Sequence, residues 1–230
     1  MIRLILGFTA AYLVFDIFIW ALQPDWLESY GEITGIVSHA WAIPALILCR
    51  TRYKEIFEHL LATVLVSAIY HAVDAYSDDE TLIRSLQRAD HGFSVGLVAL
   101  LVLHRIHDIW YLPVSFFGIL SASFSFMNLI TTGFIGLVGT VLYLPQVMNL
   151  VQSLGIVTRT FKIDNPGVMW IVAGICMQTI GIVFFFVEIP PFTQSFHAWW
   201  HITSFLGVYC ILKSLAYKDG TIPYSRVNSF

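Results

Sequence analysis

The sequence predicts an all-α protein whose helices form a polytopic transmembrane bundle. Of its 230 residues, 57% are hydrophobic and only 12% are charged, and the mean hydropathy is +0.76. Soluble domains carry about 25% charged residues, so this composition argues against a soluble fold and leaves no room for a separate soluble domain. The net charge of −3 is small and negative, which argues against nucleic acid as a partner.

Apolar runs of bilayer length recur along the whole chain. A transmembrane helix needs roughly 17–25 predominantly apolar residues. Eight runs approach this length, and they predict helices over residues 3–22, 33–50, 57–76, 90–107, 110–128, 131–152, 166–187 and 196–214. The weakest division is between the fifth and sixth runs, where only the segment Ile130-Thr131-Thr132-Gly133 separates them.

The distribution of basic residues predicts the orientation of these helices. With eight crossings, ten Lys and Arg residues fall on one side and only Arg84 and Arg88 on the other. Cytoplasmic loops are the ones enriched in basic residues, so both termini are predicted to be cytoplasmic. This topology also places five polar residues in one layer near the lumenal or extracellular side: Ser67, His71, Asp90, His197 and His201.

The histidine pair near the C-terminus is the most distinctive motif. His197 and His201 are four residues apart, so on a helix they share one face. This is a spacing at which two imidazoles bind one zinc ion. Polar rings near the end of a membrane-length helix are costly unless something satisfies them. The same pattern also fits hydrogen-bonded interfacial histidines beside Trp199 and Trp200.

Ser67 and His71 form a second pair with the same spacing. Three neutral imidazoles from His71, His197 and His201 would hold zinc and leave a fourth position for water, as in catalytic zinc sites. Asp90 is the predicted proton shuttle, and Ser67 is the predicted hydrogen-bond donor to the oxyanion. Simpler interpretations stay open: Ser67 bonds to its own helix, and Asp90 interacts with the dipole at a helix N-terminus.

Two further polar groups lie inside apolar runs. Asp16 falls in the first predicted helix and His39 in the second. Ionisable groups at such positions are costly enough to need partners. We interpret them as a hydrogen-bonded pair that joins the two helices.

Taken together, the motifs resemble the CREST superfamily, which groups alkaline ceramidases, adiponectin and progestin receptors, and post-GPI-attachment and myomaker-like proteins. The shared pattern is Ser-x-x-x-His on one helix, Asp opening the next and His-x-x-x-His on the last. The segment 189–207 looks most similar to alkaline ceramidases, whereas Ser67–Asp74 is similar to the post-GPI-attachment and myomaker branch. The resemblance implies a seven-helix core that binds Zn²⁺ through three histidines, beside a serine and an aspartate: His71, His197, His201, Ser67 and Asp90.

The resemblance also implies a division of the chain. Residues 1–32 would form an extra N-terminal transmembrane helix and an acidic loop, residues 33–215 the seven-helix hydrolase core, and residues 216–230 a cytoplasmic tail. Alkaline ceramidases carry an N-terminal acidic motif that binds Ca²⁺, and Asp25-Trp26-Leu27-Glu28 looks like its beginning. Asp25, Trp26 and Glu28 are therefore candidate calcium residues. Tyr30 departs from the motif, and two carboxylates in a loop are also explained by solvation.

The predicted function is zinc-dependent hydrolysis of the amide bond of a ceramide-like membrane lipid, which releases a fatty acid and a sphingoid base. This places the protein in sphingolipid metabolism. An alternative is a membrane receptor or myomaker-like protein that contains zinc but is not an enzyme. A third hypothesis rests on the Pro145-Gln146 dipeptide and is a PQ-loop-like transporter without metal.

Overall fold

The computed structural model describes residues 2–22, 33–103, 166–186, 193–218 and 220, and this part of the chain is all-helical. The helices are α1 (Ile2–Leu22), α2 (Ile33–Cys49), α3 (Lys54–Tyr76), α4 (Glu80–Leu103), α5 (Pro166–Phe186) and α6 (Thr193–Lys218). The all-α prediction is confirmed for these residues. The runs at 110–128 and 131–152, the Pro145-Gln146 dipeptide and most of the tail lie outside the described residues.

Five of the predicted helices are found within a few residues of their expected bounds, but α4 begins ten residues earlier than predicted. Its first turn is capped by Asp79, whose Oδ1 accepts hydrogen bonds from the N–H groups of Thr81 at 3.0 Å and Leu82 at 3.1 Å. An N-cap carboxylate satisfies N–H groups that lack helical partners. Asp90 is therefore three turns inside α4, and its interpretation as a helix-opening residue is wrong.

Helix α2 changes its winding in the middle. Residues Ser38–Ala42 form a 3₁₀ segment, and the N–H of Ile43 bonds to the carbonyl oxygen of Ala40, three residues back. Pro44 explains the change. It has no N–H group to donate to the carbonyl oxygen of Ala40, and its ring would clash with that carbonyl in a regular α-helix. Pro44 instead occupies the first turn of the α-helical segment that follows, where a proline is tolerated.

A continuous apolar core joins α2, α3, α4 and α6. Its members are buried residues such as Cys49, Ile56, Leu60, Leu100 and Leu212. Helix α6 is the most enclosed element, since it also packs along α5.

Glycines set the close approach of α5 to α6. A Cβ atom added to Gly174 would lie 2.8 Å from Ile211 Cγ1 and 3.1 Å from the carbonyl oxygen of Gly207. Small residues allow helix backbones to approach in this way. The side chain of Gln178 then crosses the interface, and its Nε2 donates to the carbonyl of Ser204 at 2.9 Å.

Helix α1 contacts α2 and α6 through polar and aromatic groups. Trp41 Nε1 donates to Thr9 Oγ1 at 2.9 Å, and Trp199 Nε1 donates to Asp16 Oδ2 at 2.9 Å. The ring of Tyr12 packs edge-on against both tryptophans. The predicted hydrogen bond between Asp16 and His39 is wrong. The carboxylate of Asp16 accepts a hydrogen bond from the indole of Trp199, and the His39 ring is hydrogen-bonded to backbone carbonyl groups of its own helix.

The outward faces of the helices are apolar. Large exposed side chains line α1, α2, α3 and α5, among them Val14, Ile47, Ile69 and Val183. Within the described part of the chain, α3 is the one helix whose length and composition suit a membrane crossing, and α1, α2 and α5 contain shorter apolar helical stretches.

Candidate metal centre

His71 and His201 face each other at the centre of the site, although 130 residues separate them in the chain. Their Nε2 atoms are 2.9 Å apart, and both side chains are buried. Two nitrogen ligands of one tetrahedral zinc ion, each at 2.0–2.1 Å, lie about 3.3 Å apart. The spacing of these two nitrogens is close to that value, so a shared metal ion fits between the rings with little movement.

His197 is brought to the same place by the helical repeat of α6. Its ring centroid lies 4.9 Å from that of His71 and 4.9 Å from that of His201, and the His71 and His201 rings are also 4.9 Å apart. The His197 Nε2 atom is shielded from solvent and has no hydrogen-bond partner in the described part of the chain. The rings of the three predicted ligands are therefore equally spaced, two on α6 and one on α3, but the ligand nitrogens that come within 4.8 Å of one another belong to His39, His71 and His201, and His197 is not in that set.

His39 is a fourth imidazole that sequence reasoning assigned elsewhere. Nitrogen atoms of His39, His71 and His201 all lie within 4.8 Å of one another, and all three residues are buried. These three histidines are close enough together to bind a metal ion. The ring of His39 lies 4.5 Å from that of His201 and 5.6 Å from that of His71. The sequence does carry a relevant pattern, since Pro44 predicts a break in the helical winding of this segment.

Ser67 lies one helical turn before His71, and Asp90 lies close to Ser67 at the interface of α3 and α4. Ser67 is nine residues before the end of α3 and Asp90 is ten residues after the start of α4, so the two are level in this antiparallel pair. Each is 2% exposed. They are close enough to interact, but Ser67 Oγ and Asp90 Oδ1 have no hydrogen-bond partner of good geometry among the described residues.

Asp90 is the only carboxylate that is fully buried among the described residues. Burying a polar group without a hydrogen bond costs free energy. A buried carboxylate and a buried hydroxyl, neither with a hydrogen-bond partner of good geometry among the described residues, form a set that could engage a polar ligand one helical turn from His71. The interpretation of Ser67 as bonded to its own helix is wrong, because its Oγ forms no hydrogen bond with the carbonyl groups of α3, all of which lie in the described part of the chain.

The donor set suits a transition metal and does not suit calcium. Imidazole nitrogens are preferred by zinc, copper, iron and nickel, whereas calcium takes oxygen ligands. Two of the ring nitrogens, His39 Nε2 and His197 Nε2, are buried and have no hydrogen-bond partner among the described residues, as expected of atoms that a metal would engage. The candidate calcium residues Asp25, Trp26 and Glu28 lie outside the described residues.

Comparison with known proteins gives no family assignment. No protein-family model matches the chain, and no curated sequence matches it. The function is therefore inferred from the side chains of the site and from the predicted topology.

Proposed function

We propose that this chain is a zinc-dependent hydrolase that cleaves the amide bond of a ceramide-like lipid inside a membrane. The observation that carries the proposal is the meeting of His71, His197 and His201 at mutual ring distances of 4.9 Å. Ser67 lies one turn before His71 on α3, Asp90 lies close to Ser67, and both are buried without a hydrogen-bond partner of good geometry in the described part of the chain. The sequence motifs and the predicted topology single out these five residues, and the CREST resemblance assigns three of them to zinc binding and the other two to positions beside the zinc.

Each residue has a distinct task in this proposal. The three imidazoles hold the metal, which supplies Lewis acidity to polarise a carbonyl group and to activate water. Asp90 accepts a proton from the attacking water and returns it to the leaving nitrogen. Ser67 donates its hydroxyl hydrogen to the carbonyl oxygen as negative charge develops there. The burial of both groups keeps bulk water from competing for these hydrogen bonds.

The membrane setting is supported by the outward faces of the helices. Exposed apolar side chains on α1, α2, α3 and α5 would contact lipid, whereas soluble monomers rarely expose large contiguous apolar patches. We propose a multi-pass arrangement in which both termini are cytoplasmic, as the distribution of basic residues predicts. The lipid would then reach the centre laterally, with its acyl chain between helices and its amide beside Asp90.

Two measurements on the purified, detergent-solubilised chain test this proposal. Metal analysis should find about one zinc ion per chain. Incubation with a fluorescent ceramide should release labelled fatty acid, and Asp90→Ala should abolish the release while the zinc content is unchanged. Zinc without hydrolysis would favour a receptor-like or myomaker-like role. Equal release by wild type and Asp90→Ala would refute the assignment of Asp90, and absence of zinc would refute the metal centre.

A further inference from the structure

We propose that His39 is a fourth imidazole ligand of the metal centre and coordinates through its Nε2 atom. The inference rests on the metal site of the proposed function but not on lipid hydrolysis. The CREST pattern assigns three histidines, so His39 extends the centre beyond what the motifs imply. The inference rests on the two nitrogen atoms of the His39 ring. Nδ1 is hydrogen-bonded to the backbone of α2, and Nε2 is buried without a hydrogen-bond partner among the described residues, in a ring that lies close to His71 and His201.

The hydrogen bonds of His39 define its tautomer. Nδ1 lies 2.9 Å from the carbonyl oxygen of Gly35 and 3.2 Å from that of Ile36. Because both partners are acceptors, Nδ1 carries the proton, and in a neutral ring Nε2 then carries a lone pair. Metal-bound histidines commonly show this arrangement, in which the second nitrogen donates to a backbone carbonyl and fixes the ring.

The backbone of α2 is built to hold this ring at the cluster. Ser38 Oγ donates to the same Gly35 carbonyl at 2.7 Å, and a Cβ added to Gly35 would lie 3.7 Å from His71 Nδ1. The turn before His39 thus rests directly against the His71 ring. The 3₁₀ segment winds at about 120° per residue instead of about 100°, so over five residues it rotates the two halves of α2 by about 100° relative to a regular helix.

Four imidazoles change the chemistry expected of the centre. Structural zinc sites are closed by four protein ligands, whereas catalytic sites keep one position open. Hydrolysis here therefore requires His39 to withdraw or the coordination to expand to five ligands. A fourth ligand also increases the affinity of the resting protein for zinc or cobalt.

The variant His39→Asn tests the inference with the least disturbance. The amide nitrogen of asparagine can take over the hydrogen bond to Gly35, but the side chain lacks an atom at the position of Nε2. In the cobalt-substituted full-length protein, the visible ligand-field bands should shift, because one nitrogen ligand is replaced. Zinc affinity, measured by competition with a chelator, should fall at least about tenfold, since losing a residue that merely orients a ligand already costs 10- to 100-fold.

His59→Asn is the matched control. It makes the same substitution at an imidazole on α3 that bonds to the carbonyl of Phe93 and is not one of the clustered histidines, so its cobalt spectrum should equal that of the wild type. His39→Asn with wild-type spectrum and affinity would overturn the inference, and so would a wild-type protein that takes up neither ion. A shifted spectrum in a protein that does not hydrolyse ceramide supports the fourth ligand and rejects the hydrolase.

Discussion

Trp199 donates its indole N–H to Asp16 Oδ2 at 2.9 Å and thereby joins the N-terminal helix to the helix that carries two of the clustered histidines. Trp199 lies midway between His197 and His201 in sequence, two positions from each. The contact gives α1 a structural role, because it ties α1 to the segment of α6 that presents the imidazoles.

Replacing Asp16 should destabilise the protein. In Asp16→Ala the indole N–H of Trp199 loses this acceptor, and an unsatisfied, partly buried donor costs about 1–3 kcal/mol. The midpoint of thermal unfolding in detergent should therefore fall. Asp16→Asn is the control, because its side-chain oxygen still accepts the hydrogen bond, and its loss should be smaller. If both variants unfold at the wild-type temperature, the contact does not hold α1 to α6.

Loss of His201 should remove the metal. His201 is the ring closest to the other imidazoles, with Nε2 2.9 Å from that of His71, so His201→Ala should reduce zinc affinity by more than about 100-fold. His59→Ala is the matched control, since His59 lies on α3 and its ring bonds to the carbonyl of Phe93 at 2.9 Å instead of facing the other imidazoles. Zinc content by elemental analysis distinguishes them. Equal zinc in both variants would contradict the assignment of His201 as a ligand.

Asp90 should affect turnover and leave metal binding intact. General acid–base catalysis contributes typically 10²- to 10⁴-fold, so Asp90→Asn should reduce ceramide hydrolysis by at least about 100-fold. The exposed Asp78 precedes α4, and Asp78→Asn is expected to retain full activity. Fatty-acid release per zinc-loaded chain is the measurement. A large loss of zinc in Asp90→Asn would instead make Asp90 part of the metal-binding structure.

The glycine at the α5–α6 interface should not tolerate a methyl group. Gly174→Ala places Cβ 3.1 Å from the backbone oxygen of Gly207, which cannot move aside as a side chain can, and overpacking of this kind costs about 1–3 kcal/mol. Gly7→Ala is the control, because nothing lies within 4 Å of its Cβ position and alanine favours helix by about 0.8–1 kcal/mol. The two variants should shift the unfolding temperature in opposite directions. A Gly174→Ala variant as stable as Gly7→Ala would contradict the close approach.

Helix positions were largely predictable because an apolar run of bilayer length has well-defined ends. The exception was α4, whose first ten residues are polar and exposed along much of their length. A search for apolar runs passes over such a stretch, although Asp79 as an N-cap and the ion pair between Glu80 and Arg84 both favour helix there. Because these first turns of α4 were not predicted, Asp90 was expected at the start of the helix, whereas it lies in the helix interior.

The sequence predicted that His71, His197 and His201 would meet, but it did not predict all of their neighbours. Alternating topology puts His71, His197 and His201 in one layer, and the structure brings their rings together. The same alternation of predicted membrane crossings puts His39 in the layer of the other three histidines, since His39 lies near the start of the second predicted helix. The predicted position of a residue along the membrane normal does not reveal which helices are neighbours. The sequence therefore suggested a hydrogen bond between His39 and Asp16, which lies on the preceding helix. Its actual neighbours depend on the altered winding before Pro44.

The distance along the chain between His71 and His201 has a consequence for biosynthesis. A ribosome that has completed α3 must add more than a hundred further residues before the second imidazole of the pair exists. The cluster therefore cannot form when α3 is synthesised, and it becomes complete only after α6 has been made and has packed against the other helices.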